Sequence, residues 1–295
     1  MTNVLLGPAS LDRYVAQGVV LPGGGALNMA YHWGRLGVPF HFLTRIGDDD
    51  PEVFTTFLRR WHITHSPSIV GVGTSASIDI VIGDDRQPQM DHFVEGVWTG
   101  FRLTDDEVAL VASAGRMHVV MVDAAIAEIA RLGAAGSLDD VEVSADFLSL
   151  RHVDLRRFEA TLAHVQTAFV GWPGEIDDPV MVAVRDVVRR TGRRAVITLG
   201  SRGVLVVDGN GNGNGGGGGG GNGNGNGGER FVPVDAVAVA GTTVGCGDAF
   251  IAAFLAHWWA GASMDSAVEA GKRAGATATT WLRPLPDEAY EAYVS

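Results

Sequence analysis

Residues 241–255 read GTTVGCGDAFIAAFL, a glycine-rich turn that runs directly into an apolar helix of small residues. The backbone amides of Gly245, Cys246 and Gly247 fall where this helix begins, and the unpaired amides of a helix N-terminus suit an anion. Asp248 follows at once. A carboxylate repels an anion bound beside it, so Asp248 needs a separate role at this position. Two interpretations of that role stay open. Asp248 either caps the helix or accepts a proton from a hydroxyl that attacks a bound phosphoryl group.

The composition is that of a soluble protein with a substantial core. The 295 residues are 46% hydrophobic and 19% charged, and no apolar run is long enough for a membrane-spanning helix. The first residues lack the basic and apolar regions of a signal peptide, so we expect a cytoplasmic protein without a membrane partner. The net charge of −12 argues against a nucleic-acid partner held by a basic face.

Several function classes are excluded by single residue types. Lys272 is the only lysine and is followed by Arg273, which excludes a Walker A loop and the early-strand lysine of a protein kinase. No Gly-x-Ser-x-Gly elbow of a hydrolase is present. Cys246 is the only cysteine, so the chain has no internal disulfide and no cysteine-based zinc site.

Apolar runs alternate with helical patterns along most of the chain. Strands are predicted at 4–6, 40–44, 117–122, 141–145, 168–170 and 195–199, and helices at 26–36, 51–60, 124–132, 155–164, 179–190, 263–282 and 287–293. A further helix starts at Thr104, with a capping-box spacing to Glu107. This order predicts one α/β domain over residues 1–295, with a mostly parallel central sheet covered on both faces. Segments within 13–21 and 76–95 alternate polar and apolar residues, and we expect them to form a small flanking sheet that acts as a lid.

Residues 209–228 consist of 14 glycines and 6 asparagines. They offer no apolar side chain to offset the entropy cost of ordering them, so we predict a disordered surface loop. The loop replaces a hairpin turn between strands at 204–207 and 231–234, which is tolerable because closure entropy grows slowly with loop length.

Candidate substrate contacts lie near the first strand. Asp12 is expected on the loop that follows this strand, where α/β sheets place ligand contacts. Gly24 allows a ligand to approach the backbone closely. Asn28, in the first turn of the next helix, either bonds sugar hydroxyls or acts as a local cap. Glu95 is either a charge at the rim or a substrate contact.

A tight turn between two predicted strands is a candidate phosphate contact. In TLGSRG, residues 198–203, Gly200 and Gly203 can expose amides and Arg202 can add positive charge. A plain hairpin is equally compatible with these residues.

The two glycine-rich stretches together resemble the signatures of the PfkB, or ribokinase-like, family of carbohydrate kinases. The first signature is matched by Gly23, Gly24, Asn28, Ala30, Gly37 and Gly47, and the second by Gly245, Gly247, Asp248, Ala249 and Phe250. The resemblance covers nearly the whole chain and implies a ribokinase-like three-layer sandwich. The segments GGGALNMA, IGDDD and EGV are similar to a branch that phosphorylates fructosamines such as fructoselysine.

The resemblance implies a role for each matched residue. Asp248 is implied as the base, with the amides of Gly245, Cys246 and Gly247 around the transferred phosphoryl group. Sugar contacts are implied for Asp12, Gly24 and Asn28, and ATP contacts for Thr198, Gly200, Ser201 and Gly203. Glu175 is implied to help hold Mg²⁺ through water. Family lids pair in dimers, so a homodimer through the lid is the assembly that the resemblance implies.

Three positions depart from the family pattern. Thr242 replaces an Asp, Cys246 an Ala and Trp172 an Asn. These changes put the cation sites in question, including any site for a monovalent ion. They also leave an alternative open, which is a sugar- or nucleotide-binding protein with impaired catalysis on a kinase fold. A kinase for another sugar, a sugar acid or a nucleoside is a further alternative.

Overall fold

The computed structural model describes residues 2–210, 228–235 and 237–293. The strands are, in chain order, β1 (Asn3–Leu6), β2 (Ser10–Tyr14), β3 (Val19–Gly23), β4 (Phe40–Leu43), β5 (Ile46–Gly47), β6 (Val70–Gly71), β7 (Ala76–Ile82), β8 (Pro88–Val94), β9 (Arg116–Val120), β10 (Glu142–Asp146), β11 (Thr167–Gly171), β12 (Arg194–Thr198), β13 (Val204–Asp208) and β14 (Glu229–Val232). The helices are α1 (Gly25–Leu36), α2 (Pro51–Arg60), α3 (Asp105–Ser113), α4 (Asp123–Ala134), α5 (Leu155–Leu162), α6 (Pro179–Thr191), α7 (Cys246–Trp259) and α8 (Met264–Ala278).

The central sheet has the strand order β14-β13-β12-β11-β10-β9-β1-β4. The strands from β4 to β12 pair in parallel, and β13 and β14 continue the sheet as an antiparallel hairpin. The carboxyl ends of the parallel strands therefore meet at one edge, which is where an α/β sheet binds its ligands.

Alternate residues of each central strand supply two separate cores. In β1, Val4 and Leu6 join the core on the face of α4, α5 and α6, whereas Leu5 joins the core on the face of α1, α2 and α7. All three are fully buried. The near-continuous apolar strands follow from this burial on both faces, and the predicted three-layer α/β architecture is confirmed.

A second, smaller sheet has the order β3-β2-β7-β8. Strand β2 pairs antiparallel with β3 and parallel with β7, and β8 forms one edge. This sheet places Asp12 in the middle of β2, opposite Ile78, and not on a loop after the first strand as expected. The loop prediction was wrong because the pairing partner β7 lies far away along the chain.

The end of the chain contains less helix than predicted. Helix α8 begins after its Ser263 cap but ends at Ala278, and residues 287–293 form only a short 3-10 turn, Asp287–Ala289. The backbone between these elements packs against the start of α7 through the bonds from Gly241 and Thr242 to Thr279 and Trp281. A continued α8 would remove this contact.

The hairpin predicted around the glycine and asparagine insert forms between β13 and β14. Most of the insert lies outside the described residues, so its predicted disorder stays a prediction. In the described part of the chain, no helix has both the length and the apolar character needed to cross a membrane.

Candidate active site

Helix α7 begins where the sequence predicts, directly after a left-handed glycine. Gly245 has φ +79°, and a Cβ there would overlap Pro284, so only glycine fits this turn. Among the described residues, the amides of Gly245 and Gly247 have no backbone acceptor, while the Cys246 amide donates to the Thr243 carbonyl at 3.3 Å. A Cβ on Gly247 would meet open space. The helix thus presents two uncommitted amides beside an open region.

Asp248 is bound by a residue from the other end of the chain. Nδ2 of Asn28 donates to Oδ2 of Asp248 at 2.7 Å. Asn28 is therefore not a local cap, since α1 has no side-chain cap. The remaining oxygen, Oδ1, faces Gly25, where a Cβ would come within 3.0 Å of it. The Asn28 bond fixes one carboxylate oxygen and leaves the other available for a substrate hydroxyl.

Helix packing holds this pair in place. The buried Nε1 of Trp33 on α1 donates to the Ala252 carbonyl on α7 at 3.1 Å. Trp33 also packs against Trp259 near the far end of α7, with ring centroids 5.2 Å apart. The two helices therefore carry Asn28 and Asp248 as parts of one packed unit.

Asp12 reaches the same region from the small sheet. Its Oδ1 accepts a 2.7 Å bond from Ser10, and the backbone of Gly24 also bonds the carboxylate. Glycine is required at Gly23 because a Cβ there would overlap the Asp12 side chain. Burial raises the pKa of Asp12 to about 7, although the Ser10 bond opposes this shift, and the charge of Asp248 adds to the rise.

Asp146 is a third carboxylate in this region, and the sequence analysis missed it. It ends β10 and is only 5% exposed. Its Oδ1 accepts a 2.8 Å bond from the Leu148 amide. Burial raises the pKa of Asp146 to about 7, and the charge of Asp248 contributes to the rise. The available signal was an acidic residue at the carboxyl end of an apolar parallel strand.

The same burial affects the residues at the start of α7. The pKa of Asp248 is raised to about 6 by burial, against the opposing bond from Asn28. Burial and the Asp248 charge together raise the pKa of the Cys246 thiol to about 12. A carboxyl group with a pKa near neutrality is suited to accept a proton from an attacking hydroxyl.

The predicted nucleotide turn lies at the hairpin between β12 and β13. Gly200 has φ +60° with open space around its Cα, and Gly203 has φ +143°, where a Cβ would overlap Phe231. Arg202 donates to the carbonyls of Leu199 and Pro173 at 3.1 and 2.7 Å. Thr198 ends β12 and Ser201 is exposed on the 3-10 turn. The turn therefore offers exposed backbone, and Arg202 ties it to the end of β11.

Glu175 is brought to this turn and not to Asp248. Its Oε1 accepts a 2.8 Å bond from Arg202, and its side chain is largely exposed. Glu95 belongs to neither group of residues: its one side-chain bond in the described chain is the 3.3 Å bond from Thr99.

The two other departures from the family pattern have local structural roles. Oγ1 of Thr242, which is fully buried, accepts the Val244 amide at 3.2 Å in the turn before α7. Trp172 donates from Nε1 to Asp178 at 2.8 Å. Thr242, which has a hydroxyl where the family has a carboxylate, thus stabilises the turn before α7 without adding a charge.

The small sheet contacts both sides of the cleft. Thr243, in the turn before α7, donates to the Gln87 side chain at 3.0 Å, and Gln87 lies in the turn between β7 and β8. On β8, Phe93 packs edge-on against His152, in the loop after β10, with centroids 6.3 Å apart. The sheet thus covers the region in which the three carboxylates lie.

Comparison with known proteins identifies related carbohydrate kinases. Residues 164–282 match the family described as pfkB family carbohydrate kinase. Fructoselysine 6-kinase of Escherichia coli (strain K12) is 25% identical over 276 residues, which cover 92% of this chain and 94% of that protein.

Solved structures share the fold at lower identity. A ribokinase from Arabidopsis thaliana, complexed with ribose and ATP, has a TM-score of 0.72 and 19% identity, covering 97% of this chain and 95% of its own. An adenosine kinase from Schistosoma mansoni has a TM-score of 0.76 and 13% identity, covering 96% of each chain. At these identities the likeness shows the fold alone.

The fold is ribokinase-like, and the family match together with the related kinases indicates a phosphotransferase with an alcohol group as acceptor. The resemblance predicted from the two glycine-rich stretches is confirmed: residues 164–282 match the pfkB carbohydrate kinases, and the chain is similar to a fructoselysine 6-kinase over most of its length.

Proposed function

We propose that this kinase transfers the γ-phosphoryl group of ATP to a hydroxyl of a fructosamine such as fructoselysine. The observation that carries the transfer step is the Asn28–Asp248 bond at the start of α7. It places a carboxylate with a pKa of about 6 beside the free amides of Gly245 and Gly247. The relative at 25% identity supports the choice of acceptor.

The proposed reaction uses one group of residues for each task. Asp248 accepts the proton of the attacking hydroxyl, while the amides of Gly245, Cys246 and Gly247 stabilise charge on the phosphoryl group. Asp12, Gly24 and Asn28 orient the sugar. The bond from Asn28 to Oδ2 leaves Oδ1 of Asp248 for the hydroxyl.

ATP would lie against the hairpin between β12 and β13, with contacts from Thr198, Gly200, Ser201 and Gly203. Arg202 and Glu175 lie at the same turn. When bound, Mg²⁺ would neutralise negative charge on the ATP phosphates. The residues fit a metal that arrives with ATP, because Glu175 offers a largely exposed carboxylate at this turn that would hold Mg²⁺ through water.

The small sheet would act as a lid and exclude water from the cleft. Its exposed apolar side chains include Val20, Val81 and Phe93, and they support a homodimer through the lid. Glu95 stays a rim residue in this proposal because its described contact is local.

The experiment measures ADP release with Mg-ATP across sugars, sugar acids, nucleosides and fructoselysine, for the wild type and Asp248→Asn. Turnover with fructoselysine that depends on Asp248 supports the proposal. Asp248-dependent turnover with another acceptor contradicts the fructosamine assignment but keeps the kinase chemistry. Sugar binding that is equal in both proteins, without turnover in either, favours a binding protein with impaired catalysis.

A further inference from the structure

The candidate active site is acidic and almost without compensating cations. Asp12 and Asp146 are buried, Asp248 is half-buried, and the charge of Asp248 acts on both of the others. Among the described residues, Arg151 is the basic residue that lowers the pKa of Asp146. Three carboxylates in a low-dielectric region favour a positively charged ligand over a neutral or anionic one.

Asn28 independently indicates that a ligand completes this cleft. It is only 3% exposed, and its Nδ2 is committed to Asp248. Its Oδ1 has no hydrogen-bond partner in the described chain. A buried amide oxygen without a donor costs free energy, so a ligand that brings a donor is favoured here.

A metal ion held by the three carboxylates does not fit their arrangement. Among residues 2–210, 228–235 and 237–293, no three acidic, histidine or cysteine side chains converge closely enough to hold one. An organic cation that also carries hydroxyl groups can neutralise negative charge at one end and donate hydrogen bonds at the other.

Asp146 is the carboxylate with the fewest commitments. Oδ1 accepts from the Leu148 amide, and within the described chain no donor reaches Oδ2. Asp12, in contrast, is bonded by Ser10 and the backbone of Gly24, and Asp248 is bonded by Asn28. Asp146 therefore has an oxygen free for a ligand, and the proposed phosphoryl transfer gives this residue no task.

Resting on the proposed function, we propose that Asp146 binds the protonated secondary amine that joins the sugar to its substituent in a fructosamine. Fructosamines differ from ordinary hexoses by this amine, which carries a positive charge at neutral pH. In this arrangement Asp248 receives the hydroxyl end of the sugar and Asp146 the amine end. Asp146 is thus the residue that selects fructosamines over neutral sugars.

The test compares two substrates that differ in one atom: a butylamino-deoxyfructose and its ether analogue, in which oxygen replaces the amine nitrogen. Calorimetry measures binding of each without ATP, and ADP release measures kcat and KM with Mg-ATP. The variants are Asp146→Asn and Asp146→Ser, both of which keep an acceptor for the Leu148 amide. The control is Glu142→Gln, at the opposite end of β10, where Glu142 pairs with Arg116.

We expect the wild type and Glu142→Gln to bind the amine at least about tenfold more tightly than the ether. Both Asp146 variants should lose this preference through a higher KM and weaker binding for the amine, a change that the ether does not show. If Asp146 only shaped the loop around Leu148, its replacement would change the binding and KM of both substrates equally. That result would overturn the proposal.

The outcomes separate this inference from the proposed function. If the wild type phosphorylates the amine and both Asp146 variants keep the preference, the assignment of Asp146 is wrong and the fructosamine kinase stands. If the amine binds through Asp146 but is not phosphorylated, the inference stands and the proposed reaction is wrong. If the amine binds no better than the ether in the wild type, Asp146 has no such role.

Discussion

Nδ2 of Asn28 lies 2.7 Å from Oδ2 of Asp248, although 220 residues separate the two in the chain. The bond joins the first turns of α1 and α7, so each glycine-rich stretch contributes one half of it. It orients the carboxylate and leaves Oδ1 as the acceptor for a substrate hydroxyl. This pairing gives the site its first testable consequences.

We expect Asp248→Asn to lower kcat by at least about a hundredfold with little change in Tm, because the amide cannot accept the hydroxyl proton. Asp186→Asn, which changes an exposed carboxylate on α6, is the matched control. Steady-state kinetics and thermal unfolding of both variants check this expectation. Near-normal turnover by Asp248→Asn would remove Asp248 from the role of base.

The pH dependence of kcat should show an acidic limb between about pH 6 and 7. The pKa of Asp248 is about 6, and those of Asp12 and Asp146 are about 7, so the three titrate as a coupled set. Activity falls as the pH decreases through this range, because a protonated Asp248 cannot act as a base.

Asn28→Ala should move that limb to higher pH, since the Asn28 bond lowers the pKa of Asp248. The pH profiles of kcat for the wild type and Asn28→Ala, measured at saturating substrate, test this shift. A limb that does not move would show that the Asn28 bond has no influence on the catalytic protonation state.

Asp146→Asn should stabilise the protein at alkaline pH. The folded-state pKa of Asp146 is raised from 3.8 to about 7, so between these values the folded state binds a proton more tightly than the unfolded state does. The resulting stability is lost as the pH rises through about 7. The variant never ionises, and we expect its Tm to exceed that of the wild type by a few °C at pH 8.

This gain should shrink as the pH falls toward about 4, where both proteins are neutral at this position. Glu142→Gln on the same strand should show no such pH-dependent gain. Thermal unfolding across the pH range measures both. A variant that is less stable than the wild type at pH 8 would show that Asp146 is stabilised by contacts that outweigh its burial.

The sequence predicted the parts of the fold that depend on local periodicity. Helix α1 and its Gly37 end, the proline start of α2 and the Thr104–Glu107 capping box are present. The pairing of a segment with a strand far away in the sequence was not predictable, and this is why Asp12 was assigned to a loop and not to β2. The end of α8 was overestimated because tertiary contacts of the following segment decide it.

The candidate site was predictable where a pattern of several residues marks it. Gly245, Gly247 and Asp248 form such a pattern, and so do Gly24 and Asn28. Asp146 stands alone at the end of an apolar strand, with no neighbouring motif. Its burial, and the effect of the Asp248 charge on its pKa, emerge only in the folded chain.

Cys246 should react slowly with alkylating reagents in the folded protein. Burial and the Asp248 charge raise the pKa of its thiol to about 12, so little thiolate exists at neutral pH. We expect iodoacetamide at pH 8 to label the native chain at least about a hundredfold more slowly than the chain in urea. Because no other cysteine is present, mass spectrometry reports this site alone. Equal rates would show an exposed, reactive thiol.

Phe93→Ser should weaken the proposed homodimer. Phe93 lies on β8 with 40% of its surface exposed, and its replacement removes apolar area from the outer part of the small sheet. Val237→Ser, which changes a similarly exposed apolar residue elsewhere, is the control. Light scattering coupled to size-exclusion chromatography measures the mass of each. A monomeric wild type would contradict assembly through this sheet.

The packing of α1 against α7 has a consequence for how the protein is made. During synthesis, α1 leaves the ribosome long before α7. The hydrogen bond from the Trp33 indole to the Ala252 carbonyl therefore cannot form until α7 has been synthesised. Strand β1 likewise stays incomplete until β9 emerges to pair with it. Such long-range contacts slow folding and expose apolar surface on the nascent chain. We therefore expect a late, cooperative final step, and chains that stop before α7 to depend on chaperones.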